Sequence, residues 1–437
     1  MVRSVKDIRG KWTYNKGNNI RDLQKGDLIA MGIAVTPLER PIHIGKRLAK
    51  NRFVIQPMEC GDANLRGGFS EDSLRRYEKL LHGGAGMVVM ESVTLQTESR
   101  ARKTQLLLDV NDPDNRDQWE RFVFQKRMHA PDTLLVVQLN HSGELSDESF
   151  SRRVCVKPLP GFGGTLIDAD YIEQTIASYV EASHFLAQIG VDGVDLKFCH
   201  GYLGSQLLRP FNDRCWKYGG SFENRARFAY ELCEKVRRAI PNETFLIGAK
   251  ISVYDEMPGG QGHAGPNSLI IDPEESIRLC KGLEARGANF FIESLGNAGL
   301  AWQLMCPDRS CPGVVSQHMT AAKLLRRALR PETTVICGGL SLLGKGGTLP
   351  GMDAEKSSLF ALSNAAIEQG DFDMIALGRQ SFADPALPAK YMAGKEQEIH
   401  WCTCCNRCGT LLGKQMHAGC AVYDSYYRNA YRALTQK

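Results

Sequence analysis

Eight short runs of aliphatic and β-branched residues recur along the chain, with helical patterns between them. This alternation limits the fold more than any other feature. The runs lie at 52–56, 86–91, 133–139, 193–197, 245–251, 289–293, 333–337 and 373–377. Between them, Leu74, Tyr77, Leu80 and Leu81 recur at helical spacing behind a Ser70 start signal. Positions 171–189, 223–239, 273–286, 321–329 and 358–369 read as further helices. Gly83-Gly84, Gly190, Gly287 and Gly370 end several of them. Glycine takes the left-handed conformation of a helix C-cap without steric cost. Strands alternating with helices argue for βαβ units and a parallel sheet, and eight such units close a (β/α)8 TIM barrel. An open doubly wound sheet is the runner-up, weakened because no G-x-G-x-x-G follows the first run.

The 437 residues leave room for one large barrel and additions. We divide the chain into an N-terminal extension (1–37), a barrel (38–395) and a cysteine-rich segment (396–437). The first residues are polar, with no apolar leader, and no run reaches the roughly 18–20 apolar residues a bilayer span needs. The expected location is the cytoplasm. The net charge of +5 comes without a dense Lys/Arg run. That points to neither nucleic acid nor a membrane surface, and it suits an anionic cofactor or substrate.

In barrels, chemistry sits at the C-terminal ends of the strands. That rule selects residues 56–60, 138–141, 197–202, Lys250, 294–296, Gly338-Gly339 and Gly378-Arg379. The last two pairs follow runs seven and eight, where barrels recurrently bind phosphate. Glycine lets backbone N–H groups approach the oxygens, and Arg379 can bind them bidentately.

The order PMEC, QLNHSG, GVDGVDLKFCHGYLGSQLL, KYGGSFENRARF, CGG and ALGR resembles the Old Yellow Enzyme superfamily over roughly residues 38–420. It is most similar to the branch containing 2,4-dienoyl-CoA reductase and trimethylamine dehydrogenase. The resemblance implies FMN, and hydride transfer from the reduced flavin to an α,β-unsaturated carbonyl compound. Pro57, Met58, Glu59, Gln138, Lys250, Gly296, Gly338, Gly339, Gly378 and Arg379 then form the flavin site. Gln138 matches the residue on the pyrimidine edge. Lys250 stands where the family usually has Arg, a change that removes donors. Gly339 and Arg379 match the phosphate binders. Lys197 and His200 match the pair holding the substrate carbonyl, with Lys in place of a common His, and Tyr202 matches the proton donor. Glu59 replaces a usual Thr or Cys. A carboxylate there would disfavour reduced anionic flavin, unless it is protonated or turned towards a neighbouring Arg. KYGGSFENRARF reads as scaffold, and His141 as structural.

Five of the fourteen cysteines fall between Cys402 and Cys420. Cys402, Cys405, Cys408 and Cys420 have the spacing C-x2-C-x2-C-x11-C. That spacing suits a [4Fe-4S] cluster or a tetrahedral zinc site, with unligated thiols as a third reading. The resemblance favours the cluster, since a similar run follows the eighth-strand Gly-Arg in that branch. Members of the branch continue into FAD- and NAD-binding domains, and this chain is expected to lack them. NAD(P)H, or a separate flavoprotein or ferredoxin, would then supply electrons. A homo-oligomer is expected. The rival functions are an amine dehydrogenase or demethylase, with Trp216 and Trp302 as substrate aromatics, a Schiff-base aldolase using Lys197 or Lys250, and an electron-carrier subunit.

Overall fold

The computed structural model describes residues 5–6, 12–13, 35–159 and 161–436, so most of the expected N-terminal extension (1–37) lies outside the described residues. Eight parallel strands close a barrel. They are β1 (Phe53–Ile55), β2 (Met87–Thr94), β3 (Leu134–Asn140), β4 (Gly193–Phe198), β5 (Leu246–Ser252), β6 (Phe290–Ser294), β7 (Thr334–Cys337) and β8 (Met374–Leu377). Each overlaps one predicted run.

Strand side chains alternate in direction, so every second residue points into the barrel. At the N-terminal end these residues are apolar. Val54, Met87, Val89, Val136, Leu246, Phe290, Ile336 and Met374 pack into one buried cluster. A hairpin of Ile42–Ile44 and Arg47–Ala49 adds Ile44 and Ala49 to it. Gly248 leaves the space that the Phe290 ring fills, and a Cβ there would collide with the ring. Towards the C-terminal end the same alternation brings in polar groups. Asp195 pairs in register with Gln138, and Lys197 with Lys250. The barrel thus carries a dry floor and a charged mouth.

Seven helices wrap the strands: α1 (Glu71–Leu81), α2 (Pro113–His129), α3 (Ala169–Ile189), α4 (Phe222–Ala239), α5 (Glu274–Glu284), α6 (Val314–Ala328) and α7 (Leu359–Glu368). Ser70 caps α1 by accepting the Ser73 N–H at 3.1 Å, a contact worth about 1 kcal/mol. Leu74, expected on the buried face of α1, is 44% exposed, and Ser73 takes the inward place. Helix α2 escapes the periodicity because its buried face mixes Asn115 and Lys126 with Trp119, Phe122 and Val123. Its usable signals are the Asp112 cap and Pro113 at the first position. Helix α6 begins at Val314 rather than at 321, because buried His318 continues its inner face.

Two short helices, α8 (Arg379–Ala383) and α9 (Leu387–Met392), follow β8, and α10 (Arg407–Gly413) and α11 (Ser425–Thr435) end the described chain. The cysteine segment is fastened to the barrel mouth. The Gln380 amide donates to His400 O and accepts from Cys402 N–H, both at 2.9 Å. Ala418 N–H reaches Cys60 O at 2.7 Å, and His417 Nδ1 lies 3.0 Å from Asp72. Among the described residues no helix is long and apolar enough to cross a membrane.

Candidate active site

The end of the mouth formed by β7 and β8 is built from glycine and one arginine. Gly339 has φ +69, and any Cβ there would strike the His318 ring. A Cβ on Gly338 would crowd Gln56, and one on Gly378 would touch Gln56 and Met58. These positions keep open a cradle of backbone. Arg379 opens α8 directly from the strand end. It is buried, donates to Pro307 O, and leaves Nη1 without a partner. A buried guanidinium nitrogen without a partner is costly unless an anion supplies it. The Gly338 N–H is already committed to Glu293 Oε2 at 3.0 Å, so this amide is not free for a phosphate. Glu293 points outward to α6, where His318 Nδ1 meets its other oxygen at 2.9 Å.

Across the mouth, the Gln138 amide donates to Asp195 Oδ2 at 2.7 Å. Burial pushes the Asp195 carboxyl up to about 7, against the hydrogen bond from Gln138 and the charges of Lys250 and Lys197. Lys250 Nζ reaches Gln56 Oε1 at 3.1 Å, and burial lowers its pKa. Gly296 takes φ +79, and its carbonyl accepts from Ser252 Oγ at 3.2 Å.

The third group centres on Glu59. Tyr202 donates its O–H to Glu59 Oε1 at 2.7 Å, and Lys197 Nζ lies 3.3 Å from the same oxygen. Lys197 also bonds Ser92 Oγ at 2.9 Å and stands 3.4 Å over the Tyr202 ring. Arg102 Nε faces the other Glu59 oxygen at 3.6 Å. Burial favours a protonated Glu59, but Lys197, Arg102 and Tyr202 together hold its carboxyl below the usual range. Burial and Glu59 push the Tyr202 phenol well above its ordinary value, so it keeps its proton at neutral pH. His200 stands slightly apart. It has φ 64, and its Nε2 lies 2.6 Å from Ser294 Oγ. Burial, Lys250 and Lys197 push it well below the usual range, which keeps the ring neutral.

Several supporting residues escape a reading of strand ends. A register shift between Met90 and Val93 in β2 turns this strand end, as bulges beside active sites do. Ser92 lies in that stretch. Cys60 N–H is held by Glu91 Oε2 at 3.1 Å, and Glu91 in turn pairs with Arg76, which also grips Asp62 at 2.7 and 2.8 Å. This buried network fixes the loop that presents Glu59. Arg209 pins the short helix Leu203–Leu208, whose N-cap is Tyr202, to Glu144 at 2.8 Å and Asp255 at 3.5 Å. Breaking such a buried pair costs about 3–5 kcal/mol. Arg225, from KYGGSFENRARF, braces the same helix through Leu208 O at 2.6 Å and Glu275 at 2.7 Å. His141 accepts Gly143 N–H at Nδ1 and meets Tyr171 OH at Nε2. Trp216 donates to Asn212, and a Cβ on Gly409 would touch Trp302. A cavity of about 770 Å³ between α1 and α2 is lined by Phe69, Leu74, Leu81 and Phe122 and includes none of the mouth residues.

The NADH:flavin oxidoreductase / NADH oxidase family model matches residues 37–281, more than half of the chain. The chain belongs to this family. An NADH oxidase of Thermoanaerobacter brockii is 28% identical over 83% of the chain and 52% of its own length. A cinnamate reductase of Clostridium sporogenes is 27% identical over 87% of the chain and 56% of its own length. The chain spans about half the length of these relatives. A 2-naphthoyl-CoA reductase in complex with 2-naphthoyl-CoA superposes with a TM-score of 0.74 at 20% identity, covering 90% of this chain and 58% of that one. The family and the closed eight-stranded barrel agree, and the open doubly wound alternative falls away.

The cysteine segment lies beside the arginine end of the mouth. Arg379 sits in the field of Cys306, Cys404, Cys402 and Cys408. Cys404 and Asn406 take left-handed backbone, φ 52 and 57, and wind the chain between Cys402 and Cys408. Cys420 feels both Cys402 and Cys405, although Cys405 is exposed. Cys404 Sγ lies 4.0 Å from Cys402 Sγ. The donors suit a thiolate-bound metal in chemistry and neighbourhood. Among the described residues, however, no three His, Cys, Asp or Glu side chains converge closely enough to hold a metal ion.

Proposed function

We propose that this chain binds FMN across the barrel mouth and reduces the activated carbon–carbon double bond of an α,β-unsaturated carbonyl compound. The observation that carries this reading is the placement of a protonated phenol and a lysine on one carboxylate, within the same mouth as the arginine cradle and the Gln138/Lys250 pair. Arg379 and Gly339 would hold the phosphate. Gln138 and Lys250 would meet the ring, with Pro57, Met58, Glu59, Gly296, Gly338 and Gly378 around it. Bound reduced FMN supplies a hydride. Lys197 polarises the carbonyl oxygen, and neutral His200 offers a second contact to it. Tyr202 holds the proton for the α-carbon, which general-acid chemistry requires to stay bound until the transition state. Lys250 places a positive charge in the ring region, where negative charge develops on reduction.

Cys402, Cys405, Cys408 and Cys420 are proposed to hold a [4Fe-4S] cluster, which supplies one-electron transfer when bound. NAD(P)H, a flavoprotein or a ferredoxin provides the electrons. Support comes from the cysteine spacing and from the anchoring of this segment beside Arg379.

The test is a half-reaction. FMN-loaded protein is reduced with dithionite under anaerobic conditions and mixed with a panel of enones. Return of the oxidised flavin spectrum, with saturated product, is expected. Flavin that stays reduced with every enone would contradict the proposal.

A further inference from the structure

We infer that Glu59 takes up a proton when the bound flavin is reduced, and that this proton frees the Tyr202 hydroxyl for the substrate and then replaces the hydrogen it gives. The inference rests on the ene-reductase reading above and adds a proton-carrying residue to it. A phenol has one hydrogen to donate. The Tyr202 hydrogen is committed to Glu59 Oε1 at 2.7 Å. While Glu59 is a carboxylate, which only accepts, that hydrogen cannot also point at an α-carbon. Its transfer would moreover leave a phenolate against a carboxylate at hydrogen-bond distance. Both obstacles vanish once Glu59 carries a proton. Oε1–H then donates to the Tyr202 oxygen, and the phenol hydrogen turns to the substrate.

The surroundings of Glu59 suit a group that changes charge. Lys197 Nζ lies 3.3 Å from Oε1, and Arg102 Nε faces Oε2 at 3.6 Å, beyond hydrogen-bond reach. Against the effect of burial, Lys197, Arg102 and Tyr202 hold the carboxyl below the usual range, so it is ionised before electrons arrive. Lys197 is shared with Ser92 Oγ at 2.9 Å and with the face of the Tyr202 ring. Glu91, on β2, feels the Glu59 charge but is tied to Arg76. Cys60, next in the chain, keeps its thiol proton, pushed well up by burial. Two electrons added to a ring in this mouth bring negative charge towards the carboxylate, and a like charge nearby raises a carboxyl pKa. The Glu59 side chain is 9% exposed and that of Arg102 23%, so the Arg102 side is the edge from which a solvent proton reaches the carboxyl.

The steps balance. The nicotinamide or protein donor places two electrons in the site, and one solvent proton joins Glu59. After hydride has formed the β C–H bond, the Tyr202 proton forms the α C–H bond, and its former bonding pair stays on the phenol oxygen. The Glu59 proton crosses to that oxygen, leaving its own pair on the carboxylate. Tyr202 is then a phenol again, Glu59 a carboxylate, and the product saturated.

The test is the flavin midpoint potential as a function of pH in FMN-loaded wild type, Glu59→Gln and Glu59→Thr. In a two-electron couple each proton taken up with the electrons changes the potential by about 30 mV per pH unit. Upwards from about pH 5.5 the wild-type slope is expected to be steeper by that amount than the slope of either variant. Protons of the flavin itself are common to all three proteins and cancel in the comparison. Above the pH where the extra slope ends, single-turnover enone reduction by the wild type should slow by up to about tenfold per pH unit, while neither variant shows a fall at that pH. Equal slopes in the three proteins overturn the inference, and so does a wild-type rate that ignores the pH of the break. Reoxidation by enones with equal slopes leaves the ene-reductase reading standing. Failure of every enone to reoxidise any of the three proteins overturns that reading, whatever the slopes.

Discussion

The two ends of the barrel mouth are built by opposite means. Around β7 and β8 the site is made of missing side chains: Gly338, Gly339 and Gly378 open the backbone, and Arg379 adds one buried guanidinium. Around β1, β2 and β4 it is made of charged and ionisable side chains, with Lys197, Tyr202 and Arg102 all facing the Glu59 carboxylate. The first arrangement has little freedom to vary, since a Cβ at Gly339 would strike His318. The second can be retuned one side chain at a time. A phosphate grip therefore suits one cofactor tail across many chemistries, and the ionic end is where a particular substrate would be selected. If that division is correct, changes at one end should leave the other unmoved.

The largest effect is expected from Tyr202→Phe. Loss of the general acid should lower the rate of substrate reduction by roughly 10²–10⁴-fold, with FMN affinity unchanged. Stopped-flow reoxidation and a flavin titration measure the two separately, and a parallel fall in flavin affinity would break the division. Next comes Arg379→Gln. Removing charge-assisted hydrogen bonds worth about 2–3 kcal/mol should weaken FMN binding by roughly 30–150-fold. The same variant, loaded with excess FMN, should keep its relative rates across an enone panel.

Glu59→Gln should raise the flavin midpoint potential by roughly 30 mV, the equivalent of about 1.4 kcal/mol for two electrons. Dye-linked potentiometry reads this directly, and an unchanged or lower potential would remove Glu59 from the ring's surroundings. The smallest effect belongs to Asp195. Its carboxyl is pushed up to about 7 by burial, so the folded state binds this proton more tightly than the unfolded chain does. Its contribution to stability is fully present below the ordinary carboxylate range and is lost as pH rises to about 7. In Asp195→Asn the apoprotein should lose less stability between pH 5 and 8. A difference of about 1 kcal/mol would appear as roughly 1 °C in Tm. The wild-type slope does not vanish entirely in this variant, because Glu91 is likewise pushed up to about 7 by burial.

The legibility of the sequence follows the same division. The barrel could be read because each strand is a short buried run closed by turn signals. The Gly-Arg ends could be read because the fold ties function to strand position. Asp195 left a trace, standing two residues before Lys197 and so on the same inward face, but its pairing with Gln138 depends on a register between β3 and β4 that spacing does not show. Ser92 and Arg102 meet Lys197 and Glu59 from elements distant in sequence, and the Arg76 network joins a helix, a loop and a strand, so no local pattern marks them. Gly338 illustrates the converse. Its sequence suggested a free amide, yet the outward-facing Glu293 occupies it. The cysteine spacing was plain, whereas its docking through Gln380, Cys60 and Asp72 belongs wholly to tertiary structure.

The most direct test is a count of FMN per chain in purified protein, incubated with the cofactor and then desalted, alongside Arg379→Gln treated identically. One FMN per wild-type chain, with flavin absorption bands, and far less in the variant is the expected result. Wild-type protein that stays colourless, or a variant that retains flavin equally well, would contradict the placement of the cofactor across this mouth.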